Sequence, residues 1–224
     1  MAKQRPLELS GGSPHRRRRI HQGGPWHSTC VESFFSHIPG WRVVFPSCAE
    51  DAKGLIKAAA RSEDPVIFLE HKGLYRKPQA KTLEPDGDYI VPFGKGRVCR
   101  DGRDVTVITW GATVYQALDA ARQLEQQGRS VDVIDLRSII PFDEELIYRS
   151  VRKTSRVVIV HEDSLLMGFG AEISARIASN CLDDAPMTRV GAKDSFVPSA
   201  PSLETLVLPS TQDLYRAISK IIQY

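Results

Sequence analysis

VVFPSCAEDAKGLIKAAARSEDPVIFLEH, Val43 to His71, decides the fold. Ser47 closes the first extended run and precedes a helical pattern in which Ala52, Leu55, Ile56 and Ala59 share one apolar face. Glu50 and Asp51 fall in its first turn, where carboxylates meet the positive end of the helix dipole. PVIFLEH is a short, nearly continuous apolar run, the mark of a strand buried on both faces. Strand, helix and strand in this order specify a parallel βαβ unit.

Upstream, CVESFFSHI places Val31, Phe34, Phe35 and Ile38 at helical spacing, and Pro39-Gly40 ends that helix. Before it, Gly23 and Gly24 permit backbone angles closed to other residues and Pro25 fixes the next. His27 is thereby set on a tight turn, where an imidazole can serve as an acid or base. Downstream, residues 77–103 are rich in Pro, Gly and charge and read as a linker. From residue 104 the pattern alternates cleanly: VTVITW, a helix through Ala117 to Gln126, VDVIDLRSI, a helix from Asp143 to Arg152, VVIVHE, then a helix near Ala171 to Ser179. A short strand around MTRVG and a helix from Leu214 to Ile222 complete an open, mostly parallel, doubly wound sheet.

Composition narrows the function classes. The 224 residues carry a formal charge of +3, but residues 1–22 hold Lys3, Arg5 and Arg16 to Arg19 against Glu8 alone. Without them 24 basic residues face 26 acidic ones, so the basic balance belongs to a polar, disordered tail and does not point to nucleic-acid binding by the body. The arginine block shows no apolar helix face, which argues against an organelle transit peptide. Cys30, Cys48, Cys99 and Cys181 lack ligand-like spacing and read as reduced thiols of a cytoplasmic or organelle-matrix protein. No apolar run approaches the ~20 residues that span a bilayer.

GGPWHS (Gly23 to Ser28), VVFPSCAEDAKGL (Val43 to Leu55) and DPVIFLEHKGLYR (Asp64 to Arg76) resemble the beta subunits of thiamine diphosphate-dependent 2-oxo acid dehydrogenase E1 components, within the transketolase family. The resemblance continues through DVTVITWGATV, VDVIDLRSIIPFD and VVIVHEDSLLMGFGAEI and covers about nine-tenths of the chain. Transketolase and deoxyxylulose phosphate synthase share the domain order, but DAKGL and EHKGLYR favour the dehydrogenase branch. The implied fold class is α/β: part of a pyrimidine-binding domain with parallel strands (residues 23–76), a linker (77–103) and a doubly wound transketolase C-terminal domain (104–224). The resemblance further implies thiamine diphosphate shared with an E1 alpha subunit, magnesium held only through that subunit, a second beta subunit and a lipoyl-bearing E2 as partners, and a cytoplasmic or mitochondrial-matrix location.

By the same resemblance His27 is the catalytic candidate, lying near the thiamine thiazolium and handling a proton during acyl transfer to lipoamide, a step that needs a donor of near-neutral pKa. Ser28 is the cofactor-side candidate, orienting ring or ligand; Thr29 stands where glutamine is usual. Ala59, Ser62 and Asp64, at a helix exit whose carbonyls gather negative potential, are implied potassium ligands. Glu32, Asp51 and Lys53 read as capping and ion-pair residues of the first domain, and His161 and Glu162 as core or interface residues. Gly168-Phe169-Gly170 lacks the third glycine and the strand-to-helix turn of a dinucleotide site, so packing accounts for it better.

The family's activating glutamate lies upstream of the GGxxHS turn, and nothing upstream here matches it, so the first domain looks amputated. The expected function is an E1 beta-like subunit supporting oxidative decarboxylation of a 2-oxo acid, inactive alone. The alternative is a non-catalytic assembly module, and a bare sheet edge on the first domain is an expected liability in either case.

Overall fold

The computed structural model describes residues 7–11, 23–181 and 186–224. In the first part of the chain, β1 (Leu7–Gly11) is followed by the one-turn α1 (Gly24–His27), α2 (Glu32–Ser36), β2 (Arg42–Val44), α3 (Ala49–Arg61) and β3 (Val66–His71). The βαβ reading of Val43 to His71 is borne out: β2 and β3 are parallel, with Arg42 opposite Val66 and Val44 opposite Phe68. Leu55 and Ala59 of α3 pack on Val44, Val66 and Phe68, and Val91 from the following segment closes the same cluster. Gly54 makes that closure possible, since a Cβ there would lie 2.5 Å from Val91 Cγ2. Ser47 does not cap α3; Cys48 occupies that position, and Ser47 Oγ donates instead to Asp135 Oδ2 at 2.5 Å.

The expected bare edge is covered. Leu7–Gly11, part of the segment read as a disordered tail, runs parallel to β3 from Leu7 opposite Ile67 to Gly11 opposite His71. Backbone pairing along β3 accounts for a strand in a stretch whose composition is poor in core residues. Residues 1–6 and 12–22, including Arg16 to Arg19, lie outside the described residues.

The second part contains β4 (Arg97–Arg100), β5 (Val105–Thr109), α4 (Thr113–Glu125), β6 (Val131–Asp135), β7 (Ser138–Ile140), α5 (Glu144–Thr154), β8 (Val157–Ser164), α6 (Gly170–Asn180), β9 (Met187–Ala192), α7 (Pro201–Val207) and α8 (Thr211–Ile221). Its sheet has the order β4-β6-β5-β8-β9, parallel except for β4. Helices α4 and α8 cover one face through Ala117, Ala121, Leu124, Leu214 and Ile218. On the other face, Ile108, Ile134 and Ile159 join Ile147 and Val151 of α5, Ile173 of α6, and Val43, Ile67 and Leu69 of the first sheet in one continuous core.

Two details depart from the sequence expectation. The linker holds a strand: β4 pairs antiparallel with β6. VDVIDLRSI is two strands, because Arg137 adopts φ +57° and turns the chain out of the second sheet. The second piece, β7, then pairs antiparallel with β2, so the first sheet reads β1-β3-β2-β7. A strand from the C-terminal domain therefore completes the sheet of the N-terminal one.

Helix α8 starts with a reciprocal cap. Ser210 Oγ accepts the Asp213 N–H at 3.2 Å, and the Asp213 carboxylate accepts the Ser210 N–H at 3.0 Å. Ser210→Ala is expected to cost about 1 kcal/mol in urea unfolding, because the Asp213 N–H at the helix end loses its acceptor. No helix of the described residues is long and apolar enough to cross a membrane.

Candidate functional site

The turn carrying His27 is tied at both ends. The Gly23 N–H donates to Ser28 Oγ at 3.1 Å, and Thr29 Oγ1 donates to the Pro25 carbonyl at 3.0 Å. Gly24, at φ +59°, leaves room only for hydrogen toward Ser199 of the second domain, so the turn is seated against that domain. His27 itself is exposed, and its imidazole has no hydrogen-bond partner among the described residues. Trp26 beside it is 87% exposed. The Ser28 hydroxyl thus holds the turn closed.

At the exit of α3, the Ala59 carbonyl accepts the Ser62 N–H at 3.2 Å. Ser62 Oγ accepts the Asp64 N–H and donates to the Asp64 carbonyl, both at 3.1 Å. The Asp64 carboxylate is taken by Arg42, whose Nε and Nη2 donate at 2.9 and 2.6 Å. The acidic side chain is thus paired with Arg42, and the Ala59 and Asp64 carbonyls already accept hydrogen bonds within the turn. The structure brings Ala59, Ser62 and Asp64 together, and it does not bring them to His27. A cavity of about 300 Å³ between the start of α3 and the end of β3, lined by Cys48, Ala52, Glu70, His71, Leu74 and Lys81, includes neither set.

The residues that the sequence reading missed sit where the two domains meet. In the second sheet the connections from β5 and β8 leave in opposite directions, which makes their carboxyl ends the switch point at which open α/β sheets present functional groups. Trp110, His161, Glu162 and Asp163 occupy those ends. Residues of the first domain fill the crevice. Trp110 Nε1 donates to Glu32 Oε1 at 2.8 Å, and His71 Nε2 lies 2.8 Å from Glu162 Oε2. Ser33 donates both its N–H, at 3.3 Å, and its hydroxyl to Asp163 Oδ2. The His161 ring stacks on Trp110 with centroids 5.4 Å apart, and its Nδ1 faces the Asp163 carbonyl at 3.0 Å. Gly168 and Gly170 make room for that ring; a Cβ at Gly170 would stand 2.6 Å from His161 Nε2. The glycine pair is thus a packing feature, and His161 is fully buried core.

Electrostatics in this crevice are set by burial. Desolvation, reinforced by the Asp163 carboxylate, pushes the Glu32 carboxyl up to about 8, against the opposing hydrogen bond from Trp110. Burial pulls His71 down, but the Glu162 carboxylate outweighs it and the net shift is upward. Burial also lowers His161 and raises the Cys30 thiol.

A second polar cluster lies under the start of α3. Asp51, fully buried, is held by Arg97 at 3.1 Å and Arg137 at 2.9 Å, and Arg97 also lies 3.6 Å from the fully buried Asp135. Arg137 further donates to the carbonyls of Lys95 and Gly96 at 3.0 Å each. Of the three residues assigned to contacts within the first domain, only Lys53 stays local, 2.8 Å from Glu84. Glu32 reaches Trp110, and Asp51 reaches Arg97 and Arg137, all outside the first domain. Only long-range packing carries that information.

A doubly wound sheet whose switch-point crevice is closed by a parallel βαβ unit from a preceding domain defines an α/β protein built on the transketolase plan. The chain belongs to the transketolase family: residues 94–214 match the transketolase C-terminal domain and residues 20–78 the transketolase pyrimidine binding domain. Within that family it is similar to E1 beta subunits. It is 40% identical over 205 residues to the 2-oxoisovalerate dehydrogenase subunit beta of Bacillus subtilis, covering 90% of this chain and 62% of that protein. It is 42% identical over 202 residues to the pyruvate dehydrogenase E1 component subunit beta of Rickettsia conorii, covering 88% and 60%. The chain thus spans about three-fifths of the length of these relatives. Among solved structures it is similar to a split gene transketolase described as an inactive beta4 tetramer, with TM-score 0.77, 26% identity, and coverage of 96% of this chain and 66% of that one.

Proposed function

We propose that this chain is an E1 beta-like subunit that acts within an assembly: with an alpha subunit and the glutamate-bearing half of the pyrimidine-binding domain, it supports oxidative decarboxylation of a 2-oxo acid and passes the acyl group to lipoamide. The observation that carries this reading is the exposed imidazole of His27, without a hydrogen-bond partner among the described residues, on a turn fixed at Gly23-Ser28 and seated against the second domain. A group so held is pre-oriented toward a ligand brought by another surface. Thiamine diphosphate bound there would supply the carbon nucleophile and the sink for the electrons left by carbon dioxide. The residues present fit its reacting edge alone, through His27 and the Ser28 hydroxyl. Magnesium and the diphosphate would be held by the alpha subunit.

His27 holds a proton and delivers it as the acyl carbon changes partner. Ser28 keeps the turn closed by taking the Gly23 N–H. Ala59, Ser62 and Asp64 hold potassium through backbone oxygens, a duty of rigidity at the α3 exit rather than chemistry. A second beta copy and a lipoyl-bearing E2 complete the assembly, and the four free thiols suit a cytoplasmic or mitochondrial-matrix setting.

The test is reconstitution with an alpha subunit, the glutamate-bearing half of the pyrimidine-binding domain and a lipoyl domain, following acylation of the lipoyl group. His27→Ala should lower that rate by about 10²-fold while alpha-subunit binding is unchanged. A second reading, an assembly module without catalysis, is favoured by the exposed Trp26, Phe196, Leu203 and Leu206 and by the likeness to an inactive beta4 tetramer. It predicts self-association and alpha-subunit binding with no acylation in the presence or absence of His27.

A further inference from the structure

We propose that Glu32 is a proton-gated clasp between the two domains: its carboxyl keeps its proton while α2 is seated against Trp110, and the junction opens with release of that proton. Glu32 is fully buried, Oε1 accepts the Trp110 indole N–H at 2.8 Å, and Oε2 has no hydrogen-bond partner among the described residues. The groups that face it are Cys30 from its own segment, His71 at the end of β3, and Glu162 and Asp163 at the end of β8; His161 stands behind Trp110. Glu162 is engaged by His71 and Asp163 by Ser33, so an ionised Glu32 would be a third carboxylate in a water-poor crevice without a cation of its own. Such a charge is costly to bury. The neutral acid is the form that fits. Only Ser28 to Val31 separate α2 from α1, so displacement of α2 also displaces the turn that carries His27.

The sign follows from the two environments. Exposed, Glu32 loses its proton in the ordinary carboxylate range; seated, it retains it to about pH 8. Opening therefore becomes easier as pH rises between those limits, by about tenfold per pH unit, and levels off above the upper one. His71, also raised, adds to the slope in the same sense above its ordinary value, and His161, lowered, opposes it on the acid side.

The measurement is hydrogen exchange of the α2 amides in the full chain between pH 6.5 and 8, corrected for intrinsic exchange rates, for the natural protein and for Glu32→Gln. The natural protein should show a pH slope steeper than Glu32→Gln by about tenfold per pH unit. Asp163→Asn, which removes the nearest like charge, should make the slope level off at a lower pH, and this arm decides the matter if Glu32→Gln does not fold. Equal slopes in the natural protein and Glu32→Gln would overturn the proposal, as would an unchanged levelling point in Asp163→Asn. None of these readouts depends on catalysis, so the clasp and the proposed function stand or fall separately.

Discussion

Trp110→Ala is expected to lose about 4–5 kcal/mol of unfolding free energy in guanidinium titration. The ring is among the largest fully buried side chains, and it bridges both halves of the core. It packs edge-on to Phe169 at 6.2 Å and stacks with His161. Its removal leaves a cavity that the sheet beneath cannot collapse to fill, and it also takes the indole N–H from Glu32. Trp110→Phe separates the two losses. Most of the packing is kept, the buried Oε1 of Glu32 is orphaned, and the cost should fall to about 1–3 kcal/mol. Equal losses in the two variants would mean that the polar contact, not the volume, dominates at this junction.

The second large effect falls on Arg97. Arg97→Met should cost about 3 kcal/mol at pH 7.5, because Asp51 keeps Arg137 but Asp135 is left in a fully buried site without a cation. The low end of the usual range applies, since a third of the Arg97 side chain, 33%, faces solvent. Desolvation already pushes the Asp135 carboxyl up to about 6, with Arg97 and the Ser47 hydroxyl pulling it down. A group whose folded pKa is raised contributes less stability as pH rises through that value. Loss of Arg97 raises Asp135 further, so the penalty should grow with pH and be smaller at pH 5, where the natural protein has Asp135 largely protonated. Urea midpoints of both proteins at pH 5 and 7.5 test this, and a penalty independent of pH would remove Asp135 from the account.

Much of the framework was legible because local signals agreed. PVIFLEH, VTVITW and VVIVHE are apolar runs too short for helices and bounded by breakers, and they become β3, β5 and β8. Helices α3, α4, α5, α6 and α8 read as helices in the sequence, whereas α7 does not and α1 reads as a turn. What escaped was decided at a distance. VDVIDLRSI carries no Gly or Pro at Arg137, yet the chain turns there, because Arg137 is drawn to Asp51, Lys95 and Gly96. Glu32 reads as a capping or ion-pair residue of the first domain, and it is instead fully buried against Trp110 at the junction. The sequence offered one signal, a glutamate between the apolar positions Val31 and Phe34, which could have marked a helix contacted on two sides. Strand β1 was hidden for a different reason: its partner is backbone, and backbone pairing leaves little trace in composition.

Strand β7 has a consequence for dissecting the molecule. Comparison by sequence counts two domains, at residues 20–78 and 94–214, and invites a cut between them. Such a cut would strip β2 of its neighbour Ser138–Ile140, while a cut after Ile140 would carry off β4, β5 and β6 and unravel the other sheet. No single scission leaves two intact sheets. The inherited modules are two, but the chain is stitched so that neither can be lifted out, and any shuffling of its parts has to move them together.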